Sequence, residues 1–247
     1  MRVLVFILVG FLAQMIDGAL GMAYGVSSTT FLLISGISPV VASASVHTSE
    51  VFTTFVSGIS HFSLKNVDLK LFKKLVIPGV MGGIVGAYLL TNIPGDAIKP
   101  YVNGYLILMG LIILVKAFKP SNPKAVGRLK AWGLGLVGGF FDAIGGGGWG
   151  PIVTSSLVAS GQQPHLAVGT VNTAEFFVTV AQAATFVTLM GVSRHWQAIA
   201  GLAIGGVVAA PIAAFGCKKI APKTLMIIVG LLICFLNIQA LVKLFLK

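Results

Sequence analysis

Apolar residues in this chain come in blocks, separated by short glycine-rich or basic stretches. A short apolar run at 3–16 meets a glycine-rich break at 18–25, and a second short run follows at 26–35. Three longer runs come next, at 40–62, 75–92 and 101–118. The pattern then starts again, with runs at 129–141 and 151–160 around a break at 143–150, and longer runs at 166–190, 196–217 and 224–246. A helix rises about 1.5 Å per residue, so about 20 residues cross a hydrocarbon core of about 30 Å. The long runs meet that length and the short ones do not. Non-helical backbone at membrane depth is tolerated inside protein or beside water. Each short pair with its break is therefore expected to form a re-entrant helical hairpin, at 3–35 and 129–160. The expected fold is an all-α polytopic membrane protein.

The two sets of runs are copies of one unit. Shifting the chain by 125 residues aligns Asp17 with Asp142, Gly21 with Gly146, Gly25 with Gly150, Gly36 with Gly161 and Pro39 with Pro164. Thr48 then meets Thr173 and Glu50 meets Glu175; across 17–67 against 142–192, 16 of 51 pairs are identical. Apolar composition alone would match Leu, Val and Ala; it would not place rare acids opposite acids. The first repeat is taken as 1–120 and the second as 121–247. Paired repeats are a common build of secondary transporters.

Composition agrees with a membrane chain. Of 247 residues, 56% are hydrophobic and 9% charged, there are 31 glycines, and the mean hydropathy is +0.99. A soluble domain is about a quarter charged, and no remaining segment is large enough to fold alone. The formal charge of +11 reads as loop lysines and not as a nucleic-acid surface. If each hairpin returns to its own side, three crossings follow it and the copies are inverted. Lys65, Lys70, Lys73, Lys74, Lys116, Lys119, Lys124, Arg128, Lys130, Lys218, Lys219 and Lys223 then share one side, against Arg2, Lys99, Arg194, Lys243 and Lys247 on the other. Twelve against five obeys the positive-inside rule, with both termini outside. A single broken crossing in place of each hairpin would give a 13-to-4 split with termini inside, so charge alone does not choose. The 33 residues from Val3 to Ser35 exceed one crossing and favour the inverted form. The opening MRVLVFILVGFLAQM has the outline of a signal peptide, but as part of the repeat it is expected to be retained. Cys217 and Cys234 sit in apolar runs, with neither a disulfide framework nor metal spacing.

Six acids exist: Asp17, Glu50, Asp68, Asp96, Asp142 and Glu175. Asp68 and Asp96 are expected in loops. The others form the two repeat-related pairs, and an ionisable group at membrane depth is a functional hypothesis by default. Glu50 and Glu175 each lie 11 residues beyond a proline, about half the hydrocarbon thickness. Asp17 and Asp142 open the glycine breaks, so all four are expected near the midplane. Helix 40–62 also carries a polar stripe, Ser43, His47, Glu50, Thr54, Ser57 and His61, on one helical face; its counterpart has Asn172, Glu175, Thr179 and Gln182. Interhelical hydrogen bonding is the alternative reading of such stripes. Because Asn172 stands where the first copy has His47, metal ligation is not expected.

The second break reads DAIGGGGWGP from Asp142 to Pro151. Proline suits a first helical turn, so a half-helix starts there with free N–H groups and its positive dipole end directed inward. That is an anion site, with Gly146 and Gly147 in its backbone; an N-cap role is the alternative for Asp142 and Asp17. Trp149 and Tyr24 match in position and either line the cavity or pack. The first break, GALGMAYG from Gly18 to Gly25, has fewer glycines and no proline.

A doubled unit with GGGGWGP in one half and a glycine-rich break in the other resembles the TauE/SafE family of sulfite exporters, also called the toluene-sulfonate uptake permease family. The resemblance covers nearly the whole chain; the first break departs from the family pattern, with GMAYGV in place of glycines followed by proline. It implies a plasma-membrane permease or exporter for sulfite, a sulfonate or another small organic anion, coupled to an ion gradient. Asp17, Gly21, Tyr24, Ser27, His47, Thr48, Asp142, Gly146, Gly147, Trp149, Asn172 and Thr173 are the expected substrate-binding residues. Glu50 and Glu175 are the expected ion-coupling residues, for H+ or Na+. Four ionised carboxylates would repel an anion, so either one or more carries a proton or a cation compensates. The expected partners are the anion, the coupling ion and the bilayer, with no cofactor, metal or nucleic acid, in a monomer or homodimer. A carrier coupled to cations for another solute, or an anion channel, is the rival reading. An enzyme is not expected, since GGFFDA does not match an intramembrane protease motif. No GxxxxGK loop exists to power a pump.

Overall fold

The computed structural model describes residues 2–118, 127–160, 162–191, 196–216 and 222–245. Gly161, Lys119, Lys124, Arg194, Cys217, Lys218, Lys219 and Lys247, all named above, lie outside the described residues. Regular structure among the described residues is helical: α1 (Arg2–Leu20), α2 (Tyr24–Ile34), α3 (Pro39–Ser63), α4 (Leu69–Thr91), α5 (Gly95–Phe118) and α6 (Arg128–Gly145). A π-helical turn at Gly150–Thr154 runs into the short α7 (Ser155–Ala159), and α8 (Pro164–Met190), α9 (Trp196–Gly216) and α10 (Pro222–Phe245) follow. By length and composition α1, α4, α5, α8, α9 and α10 can each cross a membrane. The chain is a multi-pass, all-helical membrane protein. α3 has 25 residues but is too polar along one face to join those six.

Local chemistry sets the boundaries. Pro39 and Pro164 open α3 and α8, where a missing N–H leaves no helical bond unmade. α4 begins six residues before its apolar run because Asp68 caps it, accepting from the Lys70 and Leu71 amides at 2.9 and 3.1 Å. Hydropathy alone hides that first, lysine-bearing turn. Asp96 falls in the first turn of α5 and not in a loop. The breaks are narrower than the glycine runs suggest. α1 continues through Asp17 to Leu20 and α6 through Asp142 to Gly145, each ending at a left-handed glycine, Gly21 (φ +66) and Gly146 (φ +65). At 19 residues, α1 is therefore longer than its apolar run implied.

Both α1–α2 and its counterpart fold back on themselves. Phe6 near the start of α1 meets Phe31 near the end of α2, with ring centroids 5.9 Å apart. Lys130 near the start of α6 donates to Ser160 just beyond α7 at 2.7 Å. Across the halves, α1 lies along α9, α6 along α4, α3 against α8 and α5 against α10. This pattern is unchanged when the halves are interchanged. α3 and α8 run antiparallel: the hydroxyls of Thr54 and Thr179 are 3.3 Å apart, while Ser57 donates to Asn172 at 2.7 Å. α5 and α10 are also antiparallel, with Lys223 4.7 Å above the Phe118 ring at one end and Gly110 against Gly230 and Cys234 further along.

Polarity is arranged inside out. The whole stripe Ser43, His47, Glu50, Thr54, Ser57 and His61 is buried, and Phe52, Phe55, Ile59 and Phe62 on the opposite face of α3 are at least half exposed. Such an apolar exterior would aggregate in water and suits acyl chains. Close helix contact depends on glycine. A Cβ on Gly139 of α6 would collide with the Gly79 carbonyl of α4, and one on Gly205 of α9 with the Ile7 carbonyl of α1. By contrast, Gly133 on α6 faces open space. Overpacking costs about 1–3 kcal/mol, so Gly139→Leu should lower Tm in detergent by about 3–10 °C. Gly133→Leu should leave it unchanged.

Candidate functional site

The site grows from the two helix breaks, whose tips press together at the centre of the helices. Gly25 is so close to the other break that an added Cβ would lie 2.6 Å from the Gly147 Cα. The same Cβ would lie 3.2 Å from Glu50 Oε1. Each tip carbonyl is taken by a hydroxyl from the other half. Thr154 donates to the Gly21 carbonyl at 2.6 Å, and Thr29 donates to the Gly146 carbonyl. These threonines are themselves partners at the 125-residue offset. That identity was a visible signal for two residues absent from the expected site.

Asp142 organises the second break. Its Oδ1 accepts from the Gly148 and Trp149 amides at 2.8 and 3.0 Å, so a carboxylate within α6 satisfies donors at the start of the next helix. Its Oδ2 accepts from Gln182 at 3.0 Å and faces His47 Nε2 at 3.1 Å. The anion-binding donors expected from the glycine run are therefore held by the chain's own carboxylate. Asp17 repeats this more weakly, accepting from the Tyr24 amide at 3.4 Å. Gly147, at φ +151, adopts a backbone that side chains disfavour.

His47 sets a proton count. Its Nδ1 lies 2.7 Å from the Ser43 carbonyl; a carbonyl only accepts, so Nδ1 carries hydrogen. Nε2 then faces Asp142 Oδ2, and two lone pairs cannot share 3.1 Å. One proton lies between them, on the imidazole or on the carboxyl. Glu50 Oε2 is 4.0 Å from the same Nε2 and has no hydrogen-bond partner among the described residues. Asp17, Glu50, Asp142 and Glu175 are 3%, 1%, 2% and 6% exposed, so the site is closed. His61, by contrast, is satisfied at both nitrogens: Nε2 donates to the Gly18 carbonyl at 3.0 Å and Nδ1 accepts from Asn66 at 3.2 Å.

Several expected site residues are turned to packing. Trp149 is fully buried and donates to the Val171 carbonyl at 3.2 Å, while Tyr24 donates to the Leu202 carbonyl at 3.1 Å. Thr48 and Thr173 donate to carbonyls one turn back, at Ala44 and Gly169, at 2.6 and 2.7 Å. Asn172 accepts from Ser57 and donates to the Val168 carbonyl at 3.2 Å. Ser27 is half-buried in the first turn of α2. Gln182 and Tyr105 were missing from the expected set. Tyr105 of α5 lies over Gly145 and Gly148, and nothing in its apolar run distinguishes it.

Residues 6–240 match the family model described as "Sulfite exporter TauE/SafE". The chain is 43% identical over 250 residues to a protein of Bacillus subtilis (strain 168) named "Probable membrane transporter protein YtnM", covering 98% of this chain and 83% of that one. No solved structure matches it. With a family match over nearly its whole length, this chain belongs to the sulfite exporter TauE/SafE family, as a membrane transporter and not an enzyme.

Proposed function

We propose that this chain is a secondary transporter that moves a small sulfur oxyanion or organic anion, such as sulfite or a sulfonate, across the plasma membrane together with protons. One observation carries the reading: Asp142 occupies the Gly148 and Trp149 amides that an oxyanion at this break would use. Substrate and ionised Asp142 compete for the same donors. Protonating Asp142 removes its charge and releases them, so anion binding and proton uptake are one event.

The charges balance. At rest, His47 and Asp142 hold one proton between them and are neutral overall. With protons on both His47 Nε2 and Asp142 the pair carries +1, which a monovalent anion neutralises. One proton therefore enters with each such anion. Glu50, whose Oε2 is 4.0 Å from His47 Nε2, is the next proton acceptor, and Glu175 stands at the matching position of the second repeat. The repeats, 1–120 and 121–247, are read as inverted, with re-entrant hairpins and both termini outside. The antiparallel packing of α3 with α8 and of α5 with α10 supports this reading.

In reconstituted vesicles an inward proton gradient should drive sulfonate accumulation, and Glu50→Gln should abolish the response to the gradient. Unchanged pH dependence would sink the role of Glu50. A Na+ gradient that replaces the proton gradient would favour a cation-coupled carrier instead. For methanesulfonate, whose own charge is constant from mildly acidic to mildly alkaline pH, affinity should weaken by about tenfold per pH unit as pH rises. Asp142→Asn should flatten that dependence. For topology, an impermeant maleimide applied from outside should label Lys99→Cys and spare Lys70→Cys; the reverse result would invert the assigned orientation.

A further inference from the structure

A second polar constellation lies away from the carboxylates, where α2 ends, α5 begins and α10 ends. A cavity of about 650 Å³ opens there, lined by residues of these three helices. Because α5 and α10 are antiparallel, Lys99 in the first turns of one and Lys243 in the last turn of the other stand at the same level. Each lysine has an amide one turn deeper in the cavity lining: Asn103 below Lys99 and Gln239 below Lys243. Spacing of four residues puts each pair on one helical face. Leu33, Ile34, Leu236 and Leu244 supply apolar wall.

Three features make this a built site. Both lysine side chains line the cavity, so two positive charges share its mouth. Asn103 is 3% exposed; its Nδ2 donates to the Lys99 carbonyl at 2.9 Å, which fixes the amide orientation and leaves Oδ1 without a donor. Finally, Ile34 and Leu244 of the lining are exposed apolar side chains, so the cavity opens on an apolar, lipid-facing surface. Lysines at helix ends sit where headgroup phosphates lie.

We propose that this cavity binds an anionic phospholipid with a hydroxylated headgroup. The phosphodiester lies between Lys99 and Lys243, a headgroup hydroxyl donates to Asn103 Oδ1, and an acyl chain follows the leucine and isoleucine wall. The site is independent of the transport mechanism proposed above.

The test uses the whole chain in mild detergent, with phosphatidylglycerol, phosphatidylcholine, phosphatidic acid and inorganic phosphate as separate probes; the parent should prefer phosphatidylglycerol to phosphatidic acid. Native mass spectrometry should retain phosphatidylglycerol on the protein in preference to phosphatidylcholine, and the same lipid should raise Tm. The double variant Lys99→Gln/Lys243→Gln should bind it about thirtyfold more weakly, while Lys70→Gln, at an exposed position away from the cavity, should bind as the parent does. Equal loss in the Lys70 variant would reduce the effect to general charge attraction and overturn the proposal. An equal Tm rise with inorganic phosphate would overturn the lipid assignment in favour of a free-anion site. Equal retention of the two lipids would also overturn it. Asn103→Leu, which keeps both lysines, should lose the preference for phosphatidylglycerol over phosphatidic acid; an unchanged preference would overturn the role of the hydroxyl.

Discussion

A helix interrupted inside a bilayer strands backbone donors and acceptors where no water can reach them, and much of this structure follows from how they are satisfied. The donors at the second break go to Asp142. The carbonyls at both tips go to threonines of the opposite half. Neither break is complete alone, so each half needs the other to close its own backbone. The same requirement brings a carboxylate to each tip and presses the tips together.

That arrangement also creates the chemistry. Asp142 was drawn into the apolar centre as a cap, yet His47 and Gln182 converge on its other oxygen. In the proposed transport mechanism, protonation of this carboxylate releases the donors it covers. The first break, with one long bond from the Tyr24 amide to Asp17 at 3.4 Å, is held less tightly. The two breaks therefore match in their carboxylate and tip threonine but differ in how firmly the carboxylate holds the backbone.

The glycines serve two purposes that composition does not separate. Gly21, Gly146 and Gly147 take backbone conformations that end or re-aim a helix. Gly82, Gly139 and Gly205 sit in regular helices and allow backbones to touch. Without a strong hydrophobic force between helices in lipid, such close packing supplies much of the association. This explains why α1 lies on α9 and α6 on α4.

Much of the fold was legible in the chain itself. In a sequence so poor in charge, acids at mirrored positions, proline helix starts and two glycine runs stand out because each violates the apolar background. These features determined the membrane class and singled out the four acids that the structure buries. The narrow breaks were not legible, because hydropathy averages over the capped, charged or acid-bearing turns that α1, α4 and α6 include. Nor were the partners. His47 meets Asp142 across 95 residues of chain, and Tyr105 reaches the second break from an apolar run with no distinguishing pattern. Periodicity reports which face of a helix is polar, since that depends on neighbours in sequence. Which polar faces meet, and whether a freed N–H is open to a ligand or already held by a carboxylate, depends on helix packing, and only the tertiary structure decided it.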